Sequence, residues 1–136
     1  MFSIGELSKR TGVKIPTIRY YEHTGLIDAP ERSEGNQRRY SIDGLKRLSF
    51  IRHSRELGFS IDDIKGLLEL NQHPEKPCND AHSIAVRHLG DVRERLSKLR
   101  RLERELIRIS ACRADSIASC SVIETLADHS LCDAEH

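Results

Sequence analysis

The chain has no Trp, one Met, three Phe and three Tyr, and no apolar run approaching the roughly 20 residues of a membrane-spanning helix. A spanning segment is therefore excluded, and the N-terminus also lacks the apolar stretch of a signal peptide. At 136 residues the length suits one compact domain with an extension and excludes a large catalytic scaffold. These absences predict a cytosolic protein. In that reducing compartment Cys78, Cys112, Cys120 and Cys132 read as thiols or metal ligands rather than disulfide staples.

Net charge is also nearly absent, with 22 Lys and Arg against 21 Asp and Glu, a formal +1. The average conceals two unlike halves. Residues 1–58 hold eleven basic and seven acidic side chains, a net +4, and residues 59–136 hold eleven and fourteen, a net −3. That asymmetry predicts a basic module joined to something of different character.

Ser3-Ile-Gly-Glu6 is a capping box and predicts a helix from about Ile4 to Lys9. Gly12 interrupts, after which apolar Val13, Ile15 and Ile18 stand beside polar Lys14, Thr17 and Arg19, with Pro16 tolerated in a first helical turn. Two short helices about a Gly-containing turn are helix-turn-helix geometry, a pattern shared with a plain helical hairpin. In the first reading Lys14, Thr17, Arg19 and Tyr20 or Tyr21 face outward where such helices meet base edges and phosphates. The polar stretch Arg32 to Tyr40 centres on Gly35-Asn36, whose tolerance of positive φ suits a tight hairpin. It predicts a wing offering Arg32, Arg38 and Arg39 to a phosphate backbone, against the alternative of a solvated basic loop. Ser41 caps a further helix to about Leu57, with Leu45, Leu48 and Ile51 or Arg52 on one face, and Gly58 ends it. Ser60-Ile-Asp-Asp63 opens another through Ile64, Leu67, Leu68 and Leu70.

Pro74 and Pro77 stop that helix and mark residues 72–79 as a linker. From 80 to 111 no proline appears, and Leu89, Val92, Leu96, Leu99, Leu102, Leu106 and Ile109 recur at intervals of 3, 4, 3, 3, 4 and 3. This near-heptad seam predicts a dimerisation helix about 45 Å long, too narrowly apolar to stand alone in water. Folding back on its own N-terminal domain is the competing reading, but the seam exceeds the face of so small a domain. Cys78 lies just before the helix and Cys112 just after it, about 50 Å apart within one chain. If both serve one site, the partner helix runs antiparallel; the periodicity by itself also admits a parallel pair.

Ile4-Gly-Glu-Leu-Ser, Thr17-Ile-Arg-Tyr-Tyr-Glu22, Gly25-Leu-Ile, Arg38-Arg-Tyr40, Leu48-Ser-Phe-Ile-Arg52 and Leu57-Gly-Phe-Ser-Ile61 together resemble the MerR family of transcriptional regulators. The likeness is dense over residues 1–70. It implies a mainly α fold: a winged helix-turn-helix DNA-binding domain over 1–71, an antiparallel coiled-coil helix over 80–111, and a C-terminal metal-binding loop within 112–136. It also implies DNA contacts from Thr17, Arg19 and Tyr20 on the recognition helix and from Arg38 and Tyr40 at the wing. Where the family usually has an aromatic residue before the wing arginine, this chain has Gln37.

Cys112 and Cys120 flank a seven-residue spacer that can fold two thiolates onto one ion, and Ser121 to Leu126 reads as a short closing helix. Thiolates select soft ions, although free cysteines are also commonly small buried hydrophobes. Resemblance to the metal-sensing branch assigns Cys112 and Cys120 as a ligand pair and Cys78 as a third ligand. Monovalent-copper sensors carry a small polar residue at that third place, so Cys78 implies a divalent soft ion, Zn(II), Cd(II), Pb(II) or Hg(II), with Cu(I) as the alternative effector. His129, Cys132 and His136 in the tail, and His82 and Asp115, are further candidates. The implied protein is a homodimer on double-stranded promoter DNA that works with RNA polymerase to activate metal export or detoxification genes. A thiol redox or iron-sulfur sensor would cluster its cysteines more tightly. A cysteine hydrolase lacks a readable oxyanion element, and a multidrug sensor is expected to carry a larger C-terminal ligand domain.

Overall fold

The computed structural model describes residues 1–128 and 130, apart from positions 29 and 33. His129, Cys132 and His136 therefore lie outside the described residues. The elements run α1 (Ile4–Thr11), α2 (Ile15–His23), β1 (Glu31–Arg32), β2 (Arg38–Arg39), α3 (Ile42–Glu56), α4 (Ile61–Asn71), α5 (Asn79–Ser110) and α6 (Ser121–Ala127). Residues 1–84 and 85–136 form two compact units. Among the described residues no helix is long and apolar enough to cross a membrane.

Local chemistry accounts for the helix starts. Ser3, Ser41 and Ser60 each accept the amide three residues on, at 3.1 Å, which satisfies one of the orphan N–H groups of a first turn. In α1 the Glu6 carboxylate accepts from the Ser3 hydroxyl at 3.1 Å. The helix continues to Thr11, two residues past the Lys9 expected from sequence. Its extension comes from Thr11, whose hydroxyl donates to the Leu7 carbonyl at 2.8 Å and accepts from the Val13 amide at 3.2 Å.

The first unit closes around Leu7, Ile18, Leu26, Leu48, Ile51 and Ile64, each fully buried. At about 1.5–3 kcal/mol for each fully buried aliphatic side chain, such a cluster holds α1 to α4 together. The unit runs past the expected linker to Ile84, because the first turns of α5 pack beside α4: a Cβ added at Gly66 would stand 3.7 Å from the Ile84 Cδ1.

β1 and β2 pair antiparallel, with Glu31 opposite Arg39 and Arg32 opposite Arg38. Asn36 takes the positive φ of 60° that the turn requires. Arg32 donates to the Asn36 carbonyl at 3.2 Å and so braces the turn as well as charging it. A tie not visible in the sequence joins the wing's exit to the chain start: Phe2 and Tyr40 exchange backbone hydrogen bonds of 2.8 and 2.7 Å.

Gly12 makes the turn between α1 and α2 at φ 76°, its amide donating to the Ser8 carbonyl at 2.7 Å. The Arg52 guanidinium lies over it, donating to the Thr11 carbonyl, and would collide with a Cβ there. Gly12→Ala is therefore opposed by the left-handed backbone, and it also displaces the Arg52 guanidinium from the Thr11 carbonyl. We expect urea unfolding to show a loss of about 2 kcal/mol. An unchanged midpoint would mean that the turn relaxes freely.

Candidate DNA-binding face and thiol site

Helix α2 follows Lys14, an N-cap that makes no side-chain hydrogen bond, and carries Pro16 in its first turn. Ile18 and Tyr21 turn into the core, which leaves Lys14, Arg19 and Tyr20 exposed, Tyr20 at 57%, and Thr17 half-buried. Arg38 and Arg39 on β2 are half-buried. Tyr40 departs from the expected surface position. The residue is only 3% exposed, and its phenol donates to Glu22. Burial first, and then the Glu22 hydrogen bond, push the phenol above its ordinary pKa and keep it a neutral donor. The bridge to Phe2 holds the Tyr40 backbone at the wing's exit, and the side chain is buried against Glu22. The sequence offered Glu22 only as the last residue of the Thr17–Glu22 string, and nothing in it signalled the pairing with Tyr40, 18 residues away.

On α5 the expected seam is largely uncovered within one protomer. Leu99 and Leu106 are 60% exposed, Leu89, Val92 and Leu96 are also exposed, and Leu102 is half-buried. Ile109 differs, at 6% exposed: its own chain covers it, with α6 returning beside it and the Ser121 hydroxyl donating to the Ile109 carbonyl at 3.4 Å.

Past α5 a short 3-10 turn over Ile117–Ser119 folds the loop back, closed by Cys120 N–H on the Ile117 carbonyl at 3.1 Å. It brings the Cys112 and Cys120 sulfurs to 3.8 Å, both half-buried. The Ala114 amide foremost, and then Ser121 through its side chain and backbone, bring the Cys112 thiol down from 9.0 to about 7. Such a thiol is substantially ionised at neutral pH, as a metal ligand needs to be. The observed separation is that of two thiols in contact, close enough for both sulfurs to reach one ion.

Cys78 is exposed at the entry to α5, its carbonyl accepting the His82 amide at 2.8 Å. His82 and Asp115 are exposed. Among the described residues no group of three or more His, Cys, Asp or Glu converges within the protomer.

Comparison with known proteins decides the family. Residues 2–71 match the MerR HTH family regulatory proteins, and residues 45–109 match the MerR DNA-binding region. The chain belongs to the MerR family of transcriptional regulators. The Escherichia coli K12 HTH-type regulator ZntR is 40% identical over 130 residues, 93% of this chain and 92% of that protein. The mercuric resistance operon regulatory protein of Bacillus cereus is 39% identical over 127 residues, 92% and 96% of the two chains. The crystal structure of PbrR691 from Ralstonia metallidurans CH34 in complex with lead(II) superposes with a TM-score of 0.78 at 38% identity, covering 93% of this chain and 99% of that one. This MerR-family chain also shares its fold with HiNmlR, solved on promoter DNA, at a TM-score of 0.64 and 22% identity over 90% of this chain and 94% of that one.

Proposed function

We propose that this metal-responsive regulator is a cytoplasmic homodimer that binds promoter DNA and activates metal export or detoxification genes when a divalent soft ion, Zn(II), Cd(II), Pb(II) or Hg(II), joins its cysteines. The observation that carries the reading is the 3.8 Å Cys112–Cys120 pair, half-buried, with hydrogen bonds from Ala114 and Ser121 holding the Cys112 thiol below its ordinary value. Two thiolates alone fall short of the four ligands that zinc takes. The third is Cys78 of the partner subunit.

The helix supports that pairing independently. An antiparallel register that sets position 78 against 112 also sets Leu89 against Leu102 and Val92 against Leu99 to within one residue, and it puts Leu96 within a residue of the two-fold axis. One register therefore closes the seam and completes the thiol set. Relatives named for mercury and a structure named for lead support the soft-ion class.

On the DNA, Lys14, Thr17, Arg19 and Tyr20 of α2 read or grip the major groove, and Arg38 and Arg39 of the wing hold the backbone. The ion supplies attraction between thiolates that otherwise repel, drawing the 112–120 loop and Cys78 of the partner subunit together. α5, 32 residues long, carries that local closure to the DNA heads. The heads then bend and untwist the promoter so that RNA polymerase can engage its two elements. Bending a site costs on the order of 1–6 kcal/mol, which thiolate binding, at about 10–16 kcal/mol for a full structural zinc site, can supply.

A reporter behind the promoter that the protein occupies in its own cells tests the ion class. Divalent ions are expected to induce it in wild type, and Cys78→Ser is expected to remove most of that response. Induction by Cu(I) alone, unaffected by Cys78→Ser, would overturn the divalent reading in favour of a two-thiolate copper site.

A further inference from the structure

Glu22 lies in the last turn of α2 with its side chain nine-tenths buried, at the junction of the recognition helix and the wing. Two arguments oppose a carboxylate there. Burial of a charge costs free energy unless it is paired and hydrogen-bonded, and a negative charge at a DNA-binding face repels phosphate. The partners that offset the first cost both come from the wing. The Tyr40 phenol donates to Oε1, and the Arg38 Nε stands 3.6 Å from Oε2. That Nε is itself buried and has no hydrogen-bond partner, so its orientation rests on the charge of Glu22. Arg19, one turn earlier on α2, lies close enough to act on the Tyr40 phenol. Helix and wing thus share one charge cluster whose centre is acidic.

We propose that Glu22 is a positioning residue: it welds the wing to the recognition helix and turns the outer edge of the Arg38 guanidinium toward the phosphate backbone. An unpaired arginine on a two-residue strand would sample many rotamers, and ordering it on DNA would cost side-chain entropy. Held by the charge of Glu22, its Nε faces inward and its remaining donors are presented in advance. The weld also makes helix and wing move as one body, which a regulator that distorts its promoter requires. The inference rests on the proposed DNA face.

The sign of one substitution tests it. On simple charge grounds, Glu22→Gln removes a negative charge near phosphates and tightens DNA binding. As a positioning residue, Glu22 cannot be replaced without loss. Gln still accepts from Tyr40, but its amide sets an N–H donor against the Arg38 Nε–H. Binding is measured on the tightest duplex that the wild-type dimer selects from a random-sequence pool, at a temperature where circular dichroism shows every variant folded. Glu22→Gln is expected to weaken binding roughly tenfold. In an Arg38→Ala background the same change is expected to cost less than about twofold, because its effect runs through Arg38. Arg38→Ala alone should weaken binding and lower the salt slope by about one. Tighter or unchanged binding by Glu22→Gln, or an equal loss in both backgrounds, overturns the positioning role. An Arg38→Ala variant with unchanged affinity and salt slope overturns the DNA face itself, a separate failure.

Discussion

Cys112→Ser is expected to abolish metal induction while leaving DNA affinity within about twofold of wild type. Each thiolate of a structural zinc site is worth about 3 kcal/mol if roughly 10–16 kcal/mol is divided among four ligands, so losing one weakens ion binding about a hundredfold. A serine hydroxyl stays protonated and is a poor ligand for soft ions. The Ala114 and Ser121 hydrogen bonds bring the Cys112 thiol down to about 7, so its loss removes a sulfur already prepared to bind. The DNA-facing unit folds around its own core of residues between Leu7 and Leu68, none of which is a cysteine. Competition for the ion against a chromophoric chelator, alongside duplex binding without metal, separates the two effects. Loss of DNA binding together with metal binding would make Cys112 a structural residue of the loop and sink the sensor assignment.

Leu96→Glu is expected to convert the proposed dimer to monomer at micromolar concentration. Leu96 is exposed in the protomer, so the change leaves the first unit's core intact. In the proposed antiparallel register it stands within a residue of the two-fold axis, so each dimer loses two adjacent leucines and gains two facing carboxylates. Two leucine burials are worth about 3–6 kcal/mol, before like-charge repulsion is added. The dimer dissociation constant should rise at least a hundredfold, and promoter affinity should fall with the loss of the second half-site contact. Light scattering on a sizing column reads the mass directly. A dimer that persists at wild-type strength would show that the seam packs elsewhere.

Some of this was legible because it is local. Serine caps at Ser3, Ser41 and Ser60 set helix starts through contacts three residues long. Gly35-Asn36 marked the wing's turn, and the heptad spacing marked α5, placed at Asn79–Ser110 against the expected 80–111. Ile109 satisfied the same spacing, yet α6 covers it, since periodicity identifies an apolar face without identifying which chain buries it.

The sequence alone therefore determined the element order, because caps, turns and periods are encoded within a few residues, and its resemblance to the MerR family named the head. Tertiary structure alone decided that Tyr40 points inward onto Glu22, that Arg52 roofs Gly12 and that two cysteines eight positions apart stand 3.8 Å from each other. Those outcomes depend on how packed elements rotate against one another and how a loop closes. No local pattern of residue types records either of them.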